Sequence, residues 1–208
     1  MMVPTILSDL GVLAVVFAGA LAVEAARARY GLRLGGVVAV PMVAVLSLTN
    51  AWVLSIYLPG VVVLFVATTL MHRLTLLYGR ALLSMTLTMA MGYALVVIAL
   101  GLVLGTELPV TDFQLYFTAL FAGAGAYTLY LTSPADRPAT VTLSGALFVI
   151  ILVGCRTLVT PPARGLYADL TPLHILPVAG VLTAAGLTLT RLERRERPLE
   201  THRRELGQ

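Results

Sequence analysis

Lysine is absent from this chain of 208 residues; all 14 strongly basic side chains are arginine, a usage read as compositional bias. Without lysine there is no glycine-rich phosphate loop of the kind that closes on one. A single cysteine, Cys155, excludes an intramolecular disulfide and a cysteine-pair metal site, and leaves the redox compartment unread. Charge of either sign is scarce, at 12% of residues against 59% hydrophobic, with a mean hydropathy of +0.94. A soluble fold of this size needs a charged face that the chain does not have. No His-Glu-x-x-His pair or Gly-x-Ser-x-Gly elbow occurs, and His72, His174 and His202 lie in separate segments without ligand spacing. The histidines read as interfacial or surface residues. The sequence therefore implies no catalytic residue, no cofactor and no metal.

What the chain has is apolar length. A spanning helix needs about 20 mostly apolar residues, which leaves room for about seven. The expected spans are 6–26, 33–49, 51–72, 80–105, 113–132, 139–158 and 172–191. The fold class is all-α: a polytopic membrane protein with a transmembrane domain over 1–191 and an Arg/Glu-rich tail over 192–208. Met1-Met2-Val3-Pro4 lacks the basic flank of a signal peptide, so the first span reads as a retained helix.

Arginine sets the orientation, because short cytoplasmic loops collect it. Arg27, Arg29 and Arg33 follow span one, Arg73 and Arg80 follow span three, and Arg191, Arg194, Arg195, Arg197, Arg203 and Arg204 follow span seven. The loop after span four carries Glu107 and Asp112 instead. Alternation puts the N-terminus outside and the C-terminus in the cytoplasm. The loop with Arg156, Arg164 and Asp169 is slightly basic for an outer one. The tail is expected to prolong span seven as a helix until Pro198. Its small arginine excess suits a lipid anchor, not a nucleic-acid arm.

Helix-loosening residues punctuate the spans: Gly31, Gly35, Gly36 and Pro41 at span two, Pro59 and Gly60 in span three, and Gly123 and Gly125 in span five. They fit close helix packing or broken helices around a substrate. Self-association and intramolecular packing are equally good outlets for such faces. The glycine-rich stretches at 31–41 and 123–126 are each followed by an apolar hairpin, a faint inverted repeat.

Ionisable groups within spans are few. Asp9 and Glu24 sit near the ends of span one, and Glu24 is three residues from Arg27, an ion-pair spacing. Asn50, Ser84, Thr86 and Thr88 are candidates for a polar seam or for hydrogen bonds between helices. Residues 34–105 form one apolar tract broken by strong charge only at His72 to Arg80. There, His72, Arg73, Tyr78 and Arg80 combine cationic and aromatic groups. Two readings stay open: an anchor that sets topology, or a docking site for an acidic partner or anionic substrate.

The segment Leu74-Thr75-Leu76-Leu77-Tyr78-Gly79-Arg80-Ala81-Leu82-Leu83 resembles the loop of the poly-γ-glutamate biosynthesis C-subunit family (PgsC/CapC). Gly31-Leu32-Arg33-Leu34-Gly35-Gly36-Val37-Val38-Ala39-Val40-Pro41 is similar to that family's glycine-rich helix start, and Pro138 to Ala146 to its last helix. The resemblance covers about residues 5–155, with the helix at 172–191 as an extension. It implies a non-catalytic membrane subunit of a poly-γ-glutamate (capsular polymer) synthase and export complex. The implied partners are membrane lipids, a cytoplasmic ATP-dependent amide ligase, another membrane-anchored subunit and the anionic polymer. On this reading Arg73, Tyr78, Gly79 and Arg80, with Arg27, Arg29 and Arg33, form the docking surface. The rival expectation is a small secondary transporter built on broken helices.

Overall fold

In hydrocarbon every backbone N–H and C=O must find its partner within the chain, so long apolar runs fold as helices. The computed structural model describes the backbone of residues 3–35, 39–105, 109–158 and 175–205, and the side chains of 10–35, 39–105, 109–155 and 176–192. Gly36 and Glu107, the loop residues Arg164, Asp169 and His174, and the side chains of Asp9, Arg156, His202 and the tail arginines after Arg191 lie outside these ranges. The described residues form seven helices: α1 (Val3–Tyr30), α2 (Ala39–Thr49), α3 (Trp52–Thr75), α4 (Gly79–Leu104), α5 (Asp112–Leu131), α6 (Arg137–Leu158) and α7 (Ile175–Glu205). Four of them, α1, α3, α4 and α6, are long and apolar enough to cross a membrane.

The expected second span is corrected. Among the described residues of that span only Ala39–Thr49, 11 residues, is helical, and at 1.5 Å per residue this covers about 16 Å of a hydrocarbon core about 30 Å thick. Gly31 (φ +66°) and Gly35 (φ +37°) take left-handed conformations that a continuous helix cannot contain. Leu32 and Leu34 between them are only 4% and 5% exposed. Leu32 and Leu34 thus pack inside protein while Gly31 and Arg33 are exposed, and burial in protein is one setting in which non-helical backbone is tolerated within a membrane protein. The stretch Gly123–Ala126, by contrast, is regular helix within α5. The two halves of the suspected repeat therefore do not share a conformation.

Helix α3 runs unbroken through Pro59, whose missing N–H is one bond in a long ladder. One further expectation changes. Helix α7 continues past Pro198 to Glu205, because the flanking Leu, Glu and Arg residues are strong helix formers.

The helices pack in two groups. Val23, Leu48, Leu147, Ile151 and Ala185 belong to one cluster shared by α1, α2, α6 and α7. Helices α3, α4 and α5 share two others, around Leu64 with Ala122 and Ala94 with Leu115. Helix α5 packs most extensively on α3 and α4, and its contact with α2 joins the groups. Its buried face is Thr118, Ala119, Ala122, Gly123, Gly125 and Ala126. Small residues let helix backbones approach closely: a Cβ on Gly123 would lie 2.9 Å from Ala90 Cβ, and one on Gly60 would lie 3.1 Å from Ala122 Cβ.

Hydrogen bonds supplement this packing. Thr86 Oγ1 donates to Leu82 O (2.8 Å), so the 3.1 Å contact between Thr68 and Thr86 has Thr68 as donor. Ser84 and Thr88, expected in the same seam, face outward and bond their own helix at Ala81 O and Ser84 O. Asn50 links helices as expected: Nδ2 donates to Pro109 O (2.6 Å) and Gln114 Oε1 (3.2 Å), while Oδ1 accepts from Trp52 N. Gln114 also closes a capping box with Thr111 at the start of α5. The α2–α3 and α4–α5 connections therefore meet at one end of the bundle.

Candidate functional site

At the opposite end, α3 turns into α4. Leu76 ends α3 in the left-handed region (φ 54°), with its N–H bonded to His72 O at 2.9 Å. The His72 ring reaches over the turn, and Nδ1 lies 2.9 Å from Leu77 O. A carbonyl only accepts, so Nδ1 carries the proton in this contact. Tyr78 is extended, and Gly79 opens α4 at φ +59°. A Cβ on Gly79 would meet nothing within 4 Å, so backbone conformation alone calls for glycine here.

Helix α5 holds this turn in place. Tyr127 Oη donates to Gly79 O across 3.0 Å. The His72 ring packs edge-on against Tyr78, with centroids 4.6 Å apart, and lies 5.4 Å from Tyr130. Next to it, Arg137 Nε donates to Leu129 O (3.2 Å) while its guanidinium sits 5.0 Å from the centre of the Phe65 ring. The α3–α4 turn and the α5–α6 connection thus form one braced surface. Tyr127, Tyr130 and Arg137 were not singled out in the sequence. The available signal was two tyrosines three residues apart, one helical turn, at the end of an apolar helix.

What the braced turn presents is two arginines. Arg73 and Arg80 are exposed and make no hydrogen bond or ion pair with any described residue. Leu74, Leu76 and Tyr78 are exposed beside them. Free guanidinium groups among apolar and aromatic side chains suit an acidic surface, since each guanidinium can take a carboxylate in two parallel hydrogen bonds.

The first-loop arginines form a separate group. Arg27 pairs with Glu24 at 3.1 Å, with both side chains about half exposed. The Arg29 guanidinium lies 5.5 Å from the centre of the Tyr30 ring, and Arg33 is exposed. Helix α1 packs on α2 and α6. Gly19 lies against Ile151, and Gly35, further on, lies against Ser144. The chain thus runs antiparallel to α6, which brings Arg27 to Arg33 to the bundle end where α6 begins, the same end as Arg73 and Arg80. Both arginine-bearing connections share that end, although no described contact joins them.

Between the two helix groups is a cavity of about 480 Å³ whose lining includes Gly35, Val43, Tyr57, Gly125, Ser144 and Phe148. Among the described residues that line it there is no charged side chain. Pro41 is buried on α2 and lies against Gly19 of α1 rather than in the lining. Among the described residues no group of three His, Cys, Asp or Glu could hold a metal ion.

The sequence profile described as capsule biosynthesis CapC matches residues 18–123, just over half of the chain. The match runs from the second half of α1 to Gly123 in α5 and includes the α3–α4 turn. It is narrower than the resemblance expected over about 5–155, so Pro138 to Ala146 falls outside it. No curated protein and no solved structure gives a significant match. This apolar helical membrane protein belongs to the capsule biosynthesis CapC family, and its place is in capsule biosynthesis.

Proposed function

We propose that this protein is the membrane platform of a complex that synthesises and exports a poly-γ-glutamate capsule. In this reading it is not itself catalytic. It holds a cytoplasmic ATP-dependent amide ligase and works beside another membrane-anchored subunit. The observation that carries the reading is the braced α3–α4 turn, with Arg73 and Arg80 directed away from the protein and unpartnered among the described residues. A surface that must bind an acidic partner loses least when its cations are not already engaged. Grouping of the arginine-bearing connections at one bundle end supports a cytoplasmic location for that end, with the N-terminus outside and the C-terminus inside.

The apolar cavity favours a platform over a conduit within one chain. Carboxylates moved into such surroundings lose their hydration without compensation. The test is to replace Arg73 and Arg80 with Ala in the intact complex. The expected result is loss of ligase co-purification and of polymer output. Unchanged assembly and unchanged output would sink the proposal.

A second reading, a small secondary transporter, is favoured by the broken segment before α2. Broken helices line substrate sites in several transporter folds. Solute uptake by the purified protein in liposomes, without any ligase, would support it.

A further inference from the structure

The cavity between α2, α3, α5 and α6 has an inner wall and a mouth of different character. Val40 and Val43 on the wall are 5% and 1% exposed, whereas Leu58, Val62 and Val141 at the rim are 60%, 63% and 55% exposed. The rim residues belong to α3 and α6, two of the four helices long and apolar enough to span a membrane. The mouth therefore opens sideways, between two spanning helices.

We propose that this cavity binds one acyl chain of a membrane lipid, which enters laterally between α3 and α6. The medium at a mouth on the spanning surface is hydrocarbon. Water is a poor occupant, because a buried water needs two to four polar partners and among the described lining residues the only polar side chains are Tyr57 and Ser144. An empty space is equally unfavourable, since wall atoms without neighbours forfeit their dispersion contacts. A neighbouring acyl chain restores those contacts with no dehydration cost. Its volume of about 480 Å³ lies within the range of small-molecule pockets, about 300–1,000 Å³. Nor is the space imposed by tight packing everywhere: a Cβ on Gly145 in the lining would meet only Val181 Cγ1, at 3.8 Å.

The test uses the full-length protein in phosphatidylcholine vesicles doped with a phospholipid that carries a photoactivatable diazirine in one acyl chain. After irradiation, adducts are mapped by peptide mass spectrometry. Adducts are expected on the lipid-facing Val66 and also on the buried Val40 and Val43. They are expected to be missing from Val53 and Leu82, which are equally buried but lie outside the cavity. Labelling of Val66 with Val40 and Val43 no higher than Val53 would overturn the proposal. In a second arm, Val62→Trp places a large ring at the exposed mouth without touching the core. It is expected to abolish most wall labelling and leave Val66 unchanged; undiminished labelling of Val40 and Val43 would refute lateral entrance.

Discussion

Tyr127 and Gly79 are 48 residues apart in sequence, yet the Tyr127 hydroxyl bonds the Gly79 carbonyl at 3.0 Å and ties α5 to the start of α4. One neutral hydrogen bond of this kind contributes about 1 kcal/mol net. Its greater effect is on order, because it fixes the turn that carries Arg73 and Arg80. Tyr127→Phe is expected to lower stability by about 1 kcal/mol and to speed amide exchange at residues 76–80 while the helices stay protected. Hydrogen-exchange mass spectrometry of the two proteins side by side measures this.

Gly79 and Gly92 separate backbone strain from packing. At Gly79 a side chain meets open space but must adopt φ +59°, so Gly79→Ala is expected to cost about 1–2 kcal/mol. Gly92 is helical with open space around it, so Gly92→Ala is expected to gain about 0.5–1 kcal/mol. Thermal unfolding in one detergent should move the two variants in opposite directions.

Gly123 tests close packing. With Ala90 Cβ only 2.9 Å from an added Cβ, Gly123→Val is expected to cost about 1–3 kcal/mol by overpacking. Adding Ala90→Gly should recover part of that loss. A double-mutant cycle on unfolding free energies reads the coupling, and strictly additive effects would argue against direct contact.

The Thr68–Thr86 bond is buried between α3 and α4. Hydrogen bonds between membrane helices average about 0.6 kcal/mol. Thr68→Val keeps the shape and removes the donor, so a loss of this small size is expected. Thr86→Val should then add little, because its partner is already gone.

Arg73 and Arg80 should contribute nothing to the fold. With no partner among the described residues, Arg73→Gln and Arg80→Gln are expected to shift unfolding by less than about 0.5 kcal/mol. Affinity for an acidic partner should fall, and so should its dependence on salt. Binding measured at two ionic strengths separates this outcome from a general loss of structure.

Much of the architecture was legible along the chain. Apolar runs separated by arginine, by acidic residues or by a short polar turn marked seven helices, because a hydrocarbon-crossing segment needs length and apolarity, both local properties. The Glu24–Arg27 pair and the interhelical role of Asn50 followed from spacing and from polarity between apolar runs. The short α2 did not, since Gly31 to Pro41 is compatible with either a kinked helix or a buried break. Nothing local revealed α5 as the join between the helix groups, or that Thr86 faces inward while Ser84 and Thr88 face outward.

The sequence by itself determined an all-helical membrane protein with a basic, aromatic turn between its third and fourth helices. Composition and spacing suffice for that, because membrane burial selects helices without reference to their neighbours. Only the tertiary structure decided that Tyr127 and Tyr130 brace that turn, that Leu32 and Leu34 are buried in a stretch that is not helical, and that a cavity lies between α3 and α6. Each of these depends on which helix faces touch, and contacts between residues dozens of positions apart leave no periodic mark in the chain.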